Sequence, residues 1–316
     1  MKVAVLKGGR SLERQVSLRS GARVEDALAR LGHEVAAIDV GPDLVDRLQA
    51  ERPDVAFVAL HGRGGEDGTV QELLELVGIP YTASGPSACI RCMDKVIAKH
   101  ALRDAGIPTP DFYAFSQAAF EELGAARALP AIEERLDFPV VVKPAGQGSA
   151  LGVKFAASAA DVPGAIVAAF SYDTKVMLER HVAGRDLAVS VLEGEDGPEA
   201  LPVVEAVPRE KGFYDFESRY EIGRTDFTCP AELEPAAAAR AQELALDAYR
   251  VLGCYGFAHI DLMLEDATGE LTVLEANAIP GLTETSLLPL AAEAAGLCFD
   301  GLVARVLDLA AARGPT

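Results

Sequence analysis

Ile260-Asp-Leu-Met-Leu264 and Leu271-Thr-Val-Leu-Glu-Ala-Asn277 are two short apolar runs joined by Glu265-Asp-Ala-Thr-Gly-Glu270. The polar link with its turn-forming Gly269 reads as the connection of a β-hairpin. Side chains alternate faces along a strand, so Glu275 and Asn277 share one face. Pairing symmetric about Thr268 predicts Asp261 directly opposite Glu275, and two opposed carboxylates repel. A cation relieves that repulsion. Two carboxylates and an amide are oxygen ligands suited to Mg²⁺, which keeps its other positions for water and phosphates. Taken alone, the same pattern also describes a solvated polar face of an amphipathic hairpin.

Working outward, Lys143-Pro-Ala-Gly-Gln-Gly-Ser-Ala-Leu-Gly-Val153 sets a lysine at a strand end and Gly146, Gly148 and Gly152 in the loop that follows. Glycine permits positive φ and close approach of backbone amides to an anion, and Lys143 supplies a point charge. The lysine precedes the glycines and no G-x-G-x-x-G opens a helix, so this is neither a Walker A loop nor a dinucleotide fingerprint. His61-Gly-Arg-Gly-Gly-Glu-Asp-Gly68 follows a strand-like 55–60 run, and Lys7-Gly-Gly-Arg-Ser-Leu-Glu-Arg-Gln-Val-Ser17 follows the first strand. Loops at the carboxyl ends of parallel strands are where α/β folds place ligands. Glu13 is placed there to receive an ammonium group. Either loop in isolation reads better as an ordinary Gly-rich turn with solvated charges.

The 316 residues, half of them hydrophobic, suffice for two or three domains with ample core. No apolar stretch reaches a membrane span, and Met1-Lys2 runs straight into Val3-Ala-Val-Leu6. A soluble, untargeted, cytoplasmic protein with no membrane partner is expected. Five cysteines suit a reducing compartment, and Cys89-x-x-Cys92 lacks the second pair or the His that a zinc site needs. A formal charge of −19 argues against sequence-independent nucleic-acid binding. Alternating strand-like 3–6, 35–40 and 55–60 with a helix over 17–31 predicts an α/β domain with a mostly parallel sheet. Gly78-Ile-Pro80 and Gly106-Ile-Pro108 each read as a helix stop. From 139 to 179 the pattern is a compact α+β unit. Beyond it lie a strand at 187–192, an irregular stretch at 209–227, an Ala-rich helix over 235–252, the hairpin and a closing helix.

These segments, in this order, resemble the D-alanyl-D-alanine ligase family, a branch of the ATP-grasp superfamily. The resemblance is carried by Gly8–Ser17, His61–Gly68, Gly78-Ile-Pro-Tyr-Thr-Ala-Ser-Gly85, Met93-Asp-Lys95, Gly106-Ile-Pro-Thr-Pro110, Val142-Lys-Pro144, Tyr214-Asp-Phe-Glu-Ser-Arg-Tyr220, and 274–286. It implies an ATP-grasp fold of mixed α/β and α+β class in three domains: 1–94, 95–180 with the phosphate loop, and 181–316 with the Mg²⁺ site and a lid at 209–227. It implies ATP-dependent joining of two D-alanines through an acyl phosphate, for peptidoglycan precursor synthesis. Lys95, Lys143, Gly148 and Ser149 would meet the phosphates, Glu179 the adenine, Asp186 the ribose, and Asp261, Glu275 and Asn277 the Mg²⁺, with Mn²⁺ as a substitute and K⁺ as a possible aid. Glu13 would bind the first ammonium, His61 lie near its carboxylate, and Gly281 offer its amide to the oxyanion. Ser286, backed by Leu287, and Arg219 would take the second carboxylate. Tyr220 and Ser149 would link to Glu13, and Tyr220, where depsipeptide-forming members carry Phe, favours an amine acceptor. A homodimer through the N-terminal domain is also implied. His259 departs from the family, which carries Arg there to steady the acyl phosphate, and so keeps two other readings open: a ligase with a different acceptor, or a nucleotide-binding homologue of weak or lost chemistry.

Overall fold

The computed structural model describes residues 1–209 and 224–314. Strands β1 (Lys2–Lys7), β2 (Glu34–Asp39) and β3 (Val55–Val58) form a parallel sheet ordered β2-β1-β3. Val3–Leu6 and Val55–Val58 are buried without alternation, as strands covered on both faces require. The crossover helix Arg14–Arg30 turns Val16, Val24, Ala27 and Leu28 inward at helical spacing. Gly78 (φ 70°) caps the helix Thr69–Val77 and Gly106 (φ 77°) follows the helix Lys95–Asp104, so both Gly-Ile-Pro stops lie where they were predicted.

A second, antiparallel sheet is built from β4 (Phe112–Ser116), β5 (Val140–Pro144), β6 (Lys154–Ala156) and β7 (Lys175–Arg180) in the order β4-β7-β5-β6. It has its own core of Leu136, Val140, Val142, Ile166, Val176 and Leu178, closed by the helix Val162–Phe170. The strand Phe112–Ser116 has no clear alternation in the sequence, because its middle residues are only half-buried.

The third sheet comprises β8 (Gly184–Gly194), β9 (Gly197–Ala200), β10 (Val204–Pro208), β11 (Thr225–Thr228), β12 (Phe257–Glu265) and β13 (Leu271–Asn277). Its order is β11-β10-β8-β12-β13, with β9 also on β8, and all pairs are antiparallel. The irregular stretch therefore ends before Thr225, and residues 210–223, with Tyr214, Phe216, Arg219 and Tyr220, lie outside those described. The single closing helix expected from sequence is two helices, Leu287–Ala294 and Phe299–Arg313, bent by 106° around Gly296 (φ 85°). The first and third sheets share one continuous core, with Phe299–Arg313 packed on Arg14–Arg30 and β3. Among the described residues no single helix is long and apolar enough to cross a membrane.

Candidate active site

The hairpin β12–β13 has the register that symmetry about Thr268 predicts at its working end: His259 opposes Asn277 and Asp261 opposes Glu275. Between Asp261 and Leu262 the ladder slips by one residue, so that Leu262 opposes Val273. Irregularities of this kind re-aim side chains beside active sites. On the other flank of β12, β8 sets Ser190 opposite His259 and Asp186 opposite Met263. Opposed residues share a face, and residues two apart share it too, so Asp186, Ser190, His259, Asp261, Glu275 and Asn277 line one surface of the sheet.

The repulsion between the opposed carboxylates is relieved from two sides. His259 Nε2 is 2.7 Å from Asp261 Oδ1, and its Nδ1 is 3.3 Å from Ser190 Oγ. The Lys95 ammonium lies 3.0 Å from Glu275 Oε2 and donates to the Gln147 carbonyl at 2.6 Å. Asn277 Oδ1 accepts from the Ile279 amide at 2.8 Å. No three His, Cys, Asp or Glu side chains converge as a closed cage among the described residues. The donor set is two carboxylates and an amide oxygen, which fits a hard cation that keeps open positions.

Above this face lies the glycine-rich loop. Ser149 (φ 51°), Ala150 (φ 57°) and Gly152 (φ 74°) are left-handed. A Cβ on Gly152 would come within 2.6 Å of the Tyr172 ring and 2.8 Å of Pro144, so only glycine fits. Ser149 Oγ donates to Glu13 Oε1 in a short hydrogen bond, which carries the loop across to the N-terminal sheet. Glu13 is 2% exposed, and its Oε2 has no hydrogen-bond partner among the described residues. Burial, reinforced by the Glu66 carboxylate, pushes Glu13 up to about 7, against the opposing pull of Ser149, His61 and Lys95. A buried acceptor without a donor is the natural seat for an incoming ammonium.

His61, also buried, bridges Glu66 (Nδ1 to Oε1, 3.2 Å) and Ser20 (Nε2 to Oγ, 2.9 Å). Ser20 Oγ accepts from the Leu282 amide at 3.2 Å, which ties the N-terminal helix to the loop carrying Gly281. Ser286 Oγ accepts from the Thr283 amide at 3.0 Å and would sit 2.6 Å from a Cβ at 281. Leu287, the first residue of the helix that Ser286 precedes, is buried. Arg63 reaches Asp173 at 3.0 Å, and Asp173 Oδ2 accepts from the Gly146 amide at 2.6 Å, pinning the start of the glycine loop to the His61 loop.

In the central sheet, Lys143 is ion-paired with Glu179, whose other oxygen lies 2.6 Å from Lys99. Burial alone would raise Glu179, but Lys143 and Lys99 hold it well below the usual carboxylate range. Lys95, Gln147, Gly148, Ser149, His259 and Asp261 are among the residues enclosing a cavity of about 60 Å³. That is far smaller than the several hundred Å³ of ordinary ligand sites.

Lys95, Gly148, Ser149, His259, Asp261, Glu275 and Asn277 thus line one small cavity, to which Glu13 is joined through Ser149, and His61 is joined through Ser20 to the loop that carries Gly281, Ser286 and Leu287. Lys143, Glu179 and Asp186 stand on the two sheets beside it. Arg219 and Tyr220 lie outside the described residues. Sequence reasoning missed Lys99, Ser20 and Asp173. Only Lys99 carried a signal, one helical turn after Lys95.

Two antiparallel sheets, one carrying a glycine-rich loop that meets the other's carboxylates in one cavity, define the ATP-grasp class. A family model described as "D-ala D-ala ligase C-terminus" matches residues 101–308, and one described as "D-ala D-ala ligase N-terminus" matches residues 45–84. A D-alanine–D-alanine ligase of Moorella thermoacetica is 44% identical over 98% of this chain and 99% of its own. One of Syntrophotalea carbinolica is 45% identical over 99% and 97%. Among solved structures, the D-alanine–D-alanine ligase of Bacillus anthracis superposes with a TM-score of 0.84 at 33% identity, covering 98% of this chain and 97% of that one. The same enzyme complexed with ATP gives 0.82 at 32% identity, covering 98% and 96%. The chain belongs to the D-alanine–D-alanine ligase family.

Proposed function

We propose that the protein joins two molecules of D-alanine at the expense of ATP, giving D-alanyl-D-alanine for peptidoglycan precursor synthesis in the cytoplasm. The observation that carries this reading is the convergence of the Glu13–Ser149 link and the Asp261–Glu275 pair on one closed cleft. One end suits a small zwitterion and the other a metal-bound polyphosphate. The family relatives named above support the same substrates.

In this reading the first D-alanine places its ammonium on the unpartnered oxygen of Glu13, with His61 near its carboxylate. Lys95 and Lys143 leave Glu275 and Glu179 to meet phosphate oxygens, and the amides and hydroxyl of Gly148 and Ser149 close over them. Glu179 accepts from the adenine amino group and Asp186 from the ribose. Asp261, Glu275 and Asn277 would hold Mg²⁺, or Mn²⁺ in its place, which would supply positive charge against the phosphates. The first carboxylate oxygen takes the γ-phosphoryl group, forming an acyl phosphate as ADP leaves. The amine of the second D-alanine, its carboxylate held by Ser286 and Arg219 with Leu287 behind, then attacks the acyl carbon and gives up a proton. Gly281 offers its amide to the tetrahedral oxyanion, which collapses with cleavage of the C–O bond to release phosphate. Tyr220, outside the described residues, would join Ser149 and Glu13 in that link, and K⁺ is to be tested as an activator.

His259 favours one second reading, a ligase with a different acceptor. The imidazole is shorter than the family's arginine and is engaged with Asp261 and Ser190. Product masses after ATP turnover over a panel of D-amino acids, L-alanine and D-lactate separate the two. D-alanyl-D-alanine as main product supports the first, and any other pair the second.

The same reading divides the chain at 94/95 and 180/181 and extends to a homodimer through the N-terminal domain. There Leu76, 82% exposed, borders a hollow of about 610 Å³ with Val40, Leu44 and Leu73. Light scattering should give twice the 33.2 kDa chain mass, and a monomer at micromolar concentration would count against the dimer.

A further inference from the structure

Lys99 is a wholly buried lysine that the reaction scheme above leaves without a task. It lies on the helix Lys95–Asp104, one turn beyond Lys95. Its Nζ is 2.6 Å from Glu179 Oε2, 2.5 Å from Thr109 Oγ1 and 3.3 Å from the Pro110 carbonyl. Phe112 covers it, with its ring centroid 5.4 Å away. Thr109 and Pro110 belong to a segment fixed in turn by the Val273 amide, which donates to the Pro108 carbonyl at 2.8 Å. The ammonium is therefore held by side chain, carbonyl and carboxylate at once. Burial lowers its pKa to about 8, and Glu179 works against that fall, so the pair is ionised at neutral pH.

Glu179 here has two cations, Lys143 on Oε1 and Lys99 on Oε2. Lys143 sits at the mouth of the glycine loop and is the one that can turn to phosphate; Lys99 is walled in and cannot. When Lys143 leaves, a carboxylate 2% exposed keeps its charge only if the second cation stays. Without it the carboxyl takes up a proton. A carboxylate accepts from an exocyclic amino group, whereas a protonated carboxyl also donates and suits a 6-oxo group.

We propose that Lys99 is a positioning residue for base recognition: it fixes Glu179 as an ionised acceptor after Lys143 has turned to the phosphates, and so selects 6-amino over 6-oxo purine nucleotides. This rests on the reading of Glu179 as the adenine acceptor. The buried ammonium touches neither nucleotide nor amino acid and acts only through the carboxylate it orients.

The test is equilibrium binding of ATP and ITP by calorimetry, with Mg²⁺ and without D-alanine, for the full chain and for K99M, E179Q and the double variant. The ITP-to-ATP ratio of dissociation constants does not depend on the fraction of protein folded, which a purely structural role would change. K99M is expected to lower that ratio at least about tenfold, since discrimination by a buried hydrogen-bonding group is lost when its donor and acceptor character is scrambled. In the E179Q background K99M should lower it no further. K99Q, which keeps hydrogen bonding to Thr109 while removing the charge, serves in the same way if K99M does not fold. A ratio lowered by E179Q yet unchanged in K99M and K99Q overturns the role of Lys99 alone. A ratio unchanged in E179Q overturns the assignment of Glu179 to adenine, and the role of Lys99 with it.

Discussion

Glu13 is the residue on which the amino-acid end of the site turns, and its burial makes its behaviour pH-dependent near neutrality. Its folded pKa of about 7 lies above the usual carboxylate value, so the folded state binds a proton that the unfolded state releases. Its contribution to stability therefore falls as pH rises from about 4.5 to about 7 and is level above that. E13Q should accordingly gain stability over the parent at pH 8, on the order of 3 kcal/mol, and none at pH 4. Denaturant midpoints at the two pH values check this; an equal gain at both would contradict it. Function runs the other way, because an ammonium needs the ionised form. We expect kcat/KM for D-alanine to fall about tenfold per unit below pH 7 and this limb to vanish in E13Q. At the metal end, D261N should cost more than about 100-fold in activity and raise the Mg²⁺ requirement, exceeding the range seen for loss of an outer partner. A Mg²⁺ titration of turnover measures it, and an unchanged half-saturation would remove Asp261 from the ligand set. Glu13, Lys143 and Asp261 were legible because each stands in a local pattern of glycine or alternating residues that constrains its backbone. Lys99, Ser20 and Asp173 were not, because what marks them is a contact made across a fold, and the buried lysine among them resembles any other helix cation in sequence.

Among elements, the glycine loop and the hairpin do different work. The register of the hairpin is dictated by apolar residues Ile260, Leu262, Val273 and Ala276 that must face the core, so a slip would turn both carboxylates inward. Its register near the site was readable from the sequence for this reason, while the one-residue irregularity beyond Asp261 was not, since no glycine or proline marks it. The loop is shaped by left-handed residues and held by two latches, Ser149 on Glu13 and Asp173 between Arg63 and the Gly146 amide. G152A should raise the ATP KM while costing about 1–3 kcal/mol in stability, because a Cβ there meets both positive φ and the Tyr172 ring. Steady-state kinetics with thermal unfolding checks this, and an unchanged KM would show that the loop does not meet the nucleotide. Elements that the sequence hid are those with weak alternation or short length: Phe112–Ser116 is half-buried, and Thr225–Thr228 follows a polar stretch. The break between the last two helices rests on Gly296, which an Ala-rich pattern on both sides conceals.

Taken whole, the described residues pack into two large cores and a small third cluster of Val96, Phe112, Ala145 and Met177. The parallel sheet and the hairpin sheet are packed into one, whereas the central sheet keeps its own around Leu136, Ile166 and Leu178. Three units of pattern in the sequence thus become a rigid base and a smaller cap that carries the glycine loop, a division of packing that no local periodicity reports. Such a cap opens as a cooperative unit below the global unfolding free energy. Hydrogen exchange should give β5 and β7 one shared protection level, lower than that of β1 and β12, and nucleotide should raise it; equal protection throughout would refute an independently opening cap. Ligation is tested most directly by incubating the purified protein with ATP, Mg²⁺ and D-alanine while recording phosphate release and product mass. One phosphate should be released per D-alanyl-D-alanine formed. ATP bound without phosphate release, or release with a product other than D-alanyl-D-alanine, would contradict it.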